Sequence, residues 1–144
     1  MVATGFAIVT TLARTVGIAR HLVEAYGMSG HCRNIRATDL AVLDLERPGS
    51  AAYAAILEEC RRASTQDGAE AIVLGCAGMA DLASRIGKEL GVPVVEGVTV
   101  AVKFVEALVG LGLRTSKIGE LAPPLRKAYR GLVESFAPDT AIAT

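Results

Sequence analysis

Tryptophan is absent from this sequence, and aromatic side chains make up only 4% of it. So few rings leave no stacking platform for nucleic-acid bases. An excess of charge of either sign is equally lacking: 15 basic residues stand against 15 acidic ones. No basic stripe tracks phosphates, and no charged tail suits a membrane surface, so neither nucleic acid nor membrane is an expected partner. No apolar run approaches the length of a bilayer span. Residues 1–13 have neither a basic opening nor a long apolar centre, and no signal peptide is expected. The cysteines number three, an odd count spaced too widely for a zinc knuckle. That points to a reducing compartment, with the cytoplasm as the expected location. No His, Asp or Glu cluster has ligand spacing, so no metal is expected.

What is present is 51% hydrophobic, mostly Ala, Val and Leu, in 144 residues. That is one domain by size and enough chain to bury a core. Phe6-Ala7-Ile8-Val9-Thr10-Thr11 reads as a short buried strand ending in two hydroxyls. A helix follows from Ala13 to Tyr26, with Val16, Ile18, Ala19, Leu22, Val23 and Tyr26 on a broad apolar face and Gly27 as its stop. Arg33 to Thr38 is polar enough for a strand at a sheet edge, and Ala41 to Leu45 is either loop or a second short strand. Arg47-Pro48-Gly49 punctuates the chain. Gly49 or Ser50 is placed to cap a helix from Ala51 to Gln66, whose stripe Tyr53, Ile56, Leu57, Cys60 has the spacing of one buried face. Ala71 to Leu74 is the central strand, Met79 to Leu90 a helix, Val92 to Val95 a strand, and Thr99 to about Leu111 another helix. Strand and helix alternate. The expected fold is therefore α/β, a mostly parallel sheet flanked by helices with right-handed crossovers. Residues 110–117 break helix, Pro123-Pro124 starts another to about Phe136, and residues after Pro138 are expected to fray. The expected division is 1–112 for the α/β lobe and 113–144 for a C-terminal loop and helix.

The chemistry centres on Ala71-Ile72-Val73-Leu74-Gly75-Cys76-Ala77-Gly78-Met79. A strand, a glycine turn and a helix in that order put the Cys76 sulfur at the carboxyl end of a buried strand, where open α/β sheets bind ligands. The unpaired N–H groups of the next helix stabilise an anion there, including a thiolate. Cys76 reads as a proton-transfer thiol, against the plainer reading of a small buried hydrophobe. Cys60 belongs to an apolar stripe and reads as core. Cys32 adjoins His31, but neighbours on a strand point to opposite faces, which argues against a reactive pair. Thr10 and Thr11 either cap the helix behind them or grip a carboxylate or imide oxygen beside Cys76. Glu96 either lies in solvent or faces the cleft, where its charge opposes a thiolate unless it accepts a hydrogen bond. His21 reads as surface. Gly110-x-Gly112 lacks the preceding strand and a third glycine, so it is no dinucleotide fingerprint.

Taken together, Phe6-x-Ile8-Val9-Thr10-Thr11-Leu12-x-Arg14, Ala69 to Met79, Val92-Pro93-Val94-Val95-Glu96-Gly97-Val98 and Gly112 to Lys117 with Pro123-Pro124 resemble the hydantoin racemase branch of the aspartate/glutamate racemase superfamily. The resemblance implies a cofactor-independent isomerase with two similar α/β lobes, one cysteine per lobe, and a substrate carbon between them. It covers only the later half of such an enzyme: Cys76 matches the second-lobe cysteine, and the first-lobe cysteine has no counterpart. It implies a racemase or epimerase of 5-substituted hydantoins or allantoin. Thr10, Thr11, Ala77, Gly78, Glu96 and Gly97 would surround the substrate, with Arg14 at the cleft mouth. It also implies that residues 113–144 pack on a first lobe, so a homo-oligomer or a complementing first-lobe chain is expected, and a truncated or split enzyme with it. Two alternatives stand beside this: a single-thiol decarboxylase or isomerase of the same superfamily, and an inactive half-protein or binding module needing a partner chain.

Overall fold

The computed structural model describes residues 2–41, 44, 51–123 and 127–137. Four strands form its sheet: β1 (Phe6–Thr10), β2 (Cys32–Ala37), β3 (Ala71–Leu74) and β4 (Val94–Glu96). Their spatial order is β2-β1-β3-β4, and every neighbouring pair is parallel. The α-helices are α1 (Val16–Ala25), α2 (Ala52–Thr65), α3 (Ala83–Leu90) and α4 (Gly97–Gly110). The alternation read from the sequence is thus the alternation observed, and polar β2 lies at a sheet edge. Arg47-Pro48-Gly49 and the Gly49 or Ser50 cap lie outside the described residues, as do most of Ala41–Leu45 and everything after Ala137.

β-Branched and small residues make the central strands because both faces of β1 and β3 need short, stiff side chains. Side chains alternate, so Ala7 and Val9 on β1 and Ile72 and Leu74 on β3 point to one face. There they meet Ile56, Cys60 and Ala63 of α2 and Ile86 of α3 in a continuous core, together with Met79. Ile56 and Cys60 are sealed from solvent, with Tyr53 and Leu57 packed beside them, as the stripe on α2 predicts. Burying a side chain the size of Ile56 contributes about 1.5–3 kcal/mol.

The opposite face is open. Of the broad apolar side expected on α1, only Val23 is buried, while Ile18 is 61% and Tyr26 75% exposed. Between α1 and the sheet runs an apolar groove of about 540 Å³, lined by Phe6, Ile8, Ile18, Leu22 and Val73 among others. The helix predicted from Ala13 begins as a 3-10 turn, Ala13–Thr15, and becomes α-helical at Val16. Gly27, at a φ of +67°, ends it. Likewise, the predicted helix from Met79 is preceded by a 3-10 segment, Ala77–Leu82, before α3.

Two compact units divide the chain, Met1–Ala107 and Leu108–Thr144. The first holds the sheet. In the second, the helix expected from Pro123-Pro124 to Phe136 is not found among the described residues of that span. Residues 127–130 carry no regular element, and only a 3-10 segment, Gly131–Phe136, forms. Gly131 has a φ of +67°, which interrupts any α-helix arriving from the prolines. Among the described residues, no helix is long and apolar enough to cross a membrane.

Candidate active site

Parallel register brings the carboxyl ends of three strands together. Val9 pairs with Leu74, and Leu74 with Glu96. Val9, Leu74 and Glu96 thus form one row on strands about 4.8 Å apart, and Thr10-Thr11, Gly75-Cys76 and Gly97 follow it. The Gly75 N–H donates to the Val9 carbonyl at 2.8 Å, which extends the β1–β3 ladder to the start of the turn.

Cys76 keeps an extended backbone, φ −144° and ψ 131°, so the strand alternation reaches it. Its side chain shares the face of Ile72 and Leu74. It is half-buried and packs against the edge of the core rather than inside it. The Cys76 carbonyl accepts the Met79 N–H at 3.0 Å. In that i to i+3 pattern, the N–H groups of Ala77 and Gly78 are the two leading donors with no partner inside the segment. The donors beside the sulfur thus belong to a 3-10 turn, and α3 proper starts only at Ala83.

The two threonines part company. By the same alternation Thr10 shares the face of Ile8, whereas Thr11 lies one residue past the end of β1, where the Thr10 and Thr11 carbonyls both turn to the segment after β2. The Thr15 hydroxyl donates to the Leu12 carbonyl at 2.7 Å, which makes it the acceptor in its 2.9 Å contact with the Thr10 hydroxyl. Thr10, only 2% exposed, therefore spends its proton inside the β1–α1 turn. Thr11 is 4% exposed. Its carbonyl accepts the Leu40 N–H and the Thr38 hydroxyl, both at 3.2 Å. Its own hydroxyl donates to no described residue.

Glu96 is buried, only 5% exposed, so it does not lie in solvent. Its carboxylate accepts the N–H groups of Val98 and Thr99 at 2.7 and 2.8 Å, capping α4 from the last residue of β4. Hydrogen bonds from Thr99, side chain then backbone, and from Val98 hold its pKa below the usual carboxylate value. Gly97, beside it, opens α4. Arg14 lies in the 3-10 turn after β1, exposed.

The other cysteines are elsewhere. Cys60 is fully buried, and desolvation with the nearby Glu59 charge pushes its thiol up to about 12. Cys32 opens β2 and pairs with Phe6. It therefore sits at the amino edge of the sheet, a strand length of about 16 Å from the edge that carries Cys76. Burial also raises its pKa. Sequence reasoning missed Thr15, Thr38 and Asp39. A Thr-Asp pair straight after a strand is a turn signal that could have pointed to the last two.

Residues 1–105 match the family model described as Asp/Glu/Hydantoin racemase. Over 126 residues the chain is 52% identical to a hydantoin racemase of Rhizobium meliloti, covering 88% of this chain and 52% of that protein. It is 46% identical over 136 residues to a hydantoin racemase of Pseudomonas sp. (strain NS671), covering 94% and 55%. A solved structure described as allantoin racemase from Klebsiella pneumoniae superposes with a TM-score of 0.85 at 54% identity, covering 96% of this chain and 56% of that one. The chain thus spans about half the length of the relatives it matches.

Proposed function

Because the chain belongs to the Asp/Glu/hydantoin racemase family, we propose that it serves racemisation of a cyclic ureide, a 5-substituted hydantoin or allantoin, with Cys76 as the proton-transfer group. The observation that carries this reading is the position of the sulfur: half-buried at the carboxyl edge of the sheet, beside the strand end that leads to Thr11 and with the N–H groups of Ala77 and Gly78 next to it. The names of the relatives supply the substrate class.

The chemistry follows from the substrate. The carbonyl next to a hydantoin α-carbon acidifies its C–H. The Cys76 thiolate takes that proton, and the bonding pair moves into a planar enolate whose charge rests on oxygen. Donors already aimed at that oxygen stabilise it without reorganising, and Thr11, Ala77 and Gly78 are the groups for this task. Thr10 contributes through the turn it holds with Thr15. Glu96 and Gly97 shape the third strand end, and Arg14 marks the mouth. No step calls for a cofactor.

Inversion further requires an acid on the far face of the plane, and one thiol reaches one face. Cys60 is sealed, and Cys32 stands at the wrong end of the sheet. The second acid is therefore assigned to another lobe, facing Cys76 across the substrate. Beside α1, the exposed side chains of Ile18, Leu22 and Tyr26 offer apolar surface for such a lobe to cover. A single half-exposed thiol also favours the second reading, one-sided protonation of an enolate as in a decarboxylase or simple exchange.

Enantiopure 5-substituted hydantoin incubated with the full chain in deuterated buffer tests the proposal. Loss of optical rotation with deuterium uptake supports two-sided racemisation. Uptake with retained configuration supports one-sided chemistry. Neither change contradicts both readings.

A further inference from the structure

Asp39 lies outside every residue so far assigned to the site, yet it has an unusual conformation. At a φ of 53° it is the only described residue other than glycine in the left-handed region. An aspartate tolerates that region at some cost, and such strain persists where neighbouring contacts over-determine it. Those contacts all run to the end of β1. The Asp39 Oδ1 accepts the Ala13 N–H at 2.8 Å. On its two sides, the Thr38 N–H donates to the Thr10 carbonyl at 3.0 Å, and the Leu40 N–H to the Thr11 carbonyl. The Thr38 hydroxyl is the second donor to that same Thr11 oxygen. The left-handed residue turns the chain back so that both of its neighbours reach one carbonyl.

Two donors on one oxygen fix the plane of its peptide. Across a trans peptide the carbonyl and the following N–H point in opposite directions. The Thr11 carbonyl faces the segment that continues β2, on one side of β1. The Leu12 N–H therefore faces the other side, where β3 ends in Cys76. This N–H makes no hydrogen bond to any described residue. We infer that Asp39 is a positioning residue: its turn brings two donors to the Thr11 carbonyl while its carboxylate holds the Ala13 N–H, and both anchors together lock the Thr11–Leu12 peptide so that the Leu12 N–H stands as a ligand donor opposite the Cys76 turn. The inference rests on the reading of Cys76 as the reacting group.

The test is an amide chemical-shift titration of the ¹⁵N-labelled full chain with a 5-substituted hydantoin. It is run on wild type, Asp39→Gly and Asp39→Asn, with thermal midpoints measured alongside. Glycine keeps the left-handed backbone but removes the acceptor; asparagine keeps both. The Leu12 amide is expected to shift in wild type together with those of Cys76 to Gly78. Asp39→Gly is expected to bind at least 10-fold more weakly at an unchanged thermal midpoint, and Asp39→Asn within 3-fold of wild type. Equal affinity of Asp39→Gly and wild type, failure of Asn to rescue, or a Leu12 amide that stays still while Cys76 to Gly78 move, overturns the positioning role alone. Silence of the Cys76 to Gly78 amides in wild type overturns the reading of the site and this inference with it.

Discussion

A Cβ placed on Gly75 would lie 3.2 Å from the Cβ of Thr10, and as close to the Ile8 Cγ2. The strand that delivers Cys76 thus passes β1 more closely than most Cβ contacts allow, so a side chain here needs its neighbours to give by a few tenths of an ångström. Both neighbours are β-branched and held in a parallel ladder, so they have little room to retreat. Gly75→Ala is expected to cost about 1–2 kcal/mol, the range of a mild overpacking, read as a lower thermal midpoint. It is also expected to slow α-proton exchange, because the turn bearing the sulfur shifts with it.

Thiol labelling separates the cysteines. Cys60 is buried and its thiol is pushed up to about 12, so iodoacetamide at pH 8 is expected to leave it unmodified in the folded chain. Cys76, half-buried at the sheet edge, is expected to react. Denaturant makes all three available. Cys60→Ala leaves a small void in the core and is expected to lower stability by about 1–2 kcal/mol, measured by urea unfolding.

Edge strand β2 is tied to the end of α2 through charge. The Arg36 guanidinium donates from Nε and from Nη2, the latter at 2.9 Å, to Asp67, and from Nη1 to Glu59 at 3.2 Å. Hydrogen bonding from Arg36 holds the Asp67 carboxyl below its usual range. A carboxyl whose folded pKa is depressed contributes stability above its unfolded pKa and loses it as pH falls through the folded value. Water reaches the pair, so the contribution is about 1 kcal/mol. Asp67→Asn is expected to lower the urea midpoint at pH 7, with the gap to wild type narrowing towards pH 3.

Glu96 carries a second acid-sensitive contact. Its depressed pKa means that the cap on α4 is in place at neutral pH and persists somewhat below the ordinary glutamate range before protonation removes it. Glu96→Ala is expected to fray the first turn of α4 at every pH, seen as faster exchange of the Val98 and Thr99 amides. Wild type is expected to show that faster exchange only at low pH.

The layered architecture was legible because it depends on local periods. The stripe on α2, the β-branched runs of β1 and β3 and the polarity of β2 each state which face is wet. The place of Cys76 just past the end of β3 was legible too, since a glycine-bordered turn after an apolar run leaves few other geometries. What escaped depends on partners distant in sequence or across a turn. Thr10 gives its proton to Thr15, Glu96 turns back onto α4, and Asp39 meets Ala13 from the far side of β2. None of these has a periodic signature. The residues before α3 form 3-10 rather than α-helix, a choice between close backbone states that composition does not decide. The exposed side of α1 shows the limit most clearly: an apolar face in a sequence says that it wants cover, not that this chain provides it.

The central claim is tested most directly by deuterium uptake at the α-carbon of a 5-substituted hydantoin, followed by proton NMR for wild type, Cys76→Ala and Cys60→Ala. The account predicts uptake with wild type, uptake with Cys60→Ala in proportion to its folded fraction, and a loss of at least about 1,000-fold with Cys76→Ala, the scale of removing a reacting group. Undiminished uptake by Cys76→Ala, or none by wild type, would contradict it.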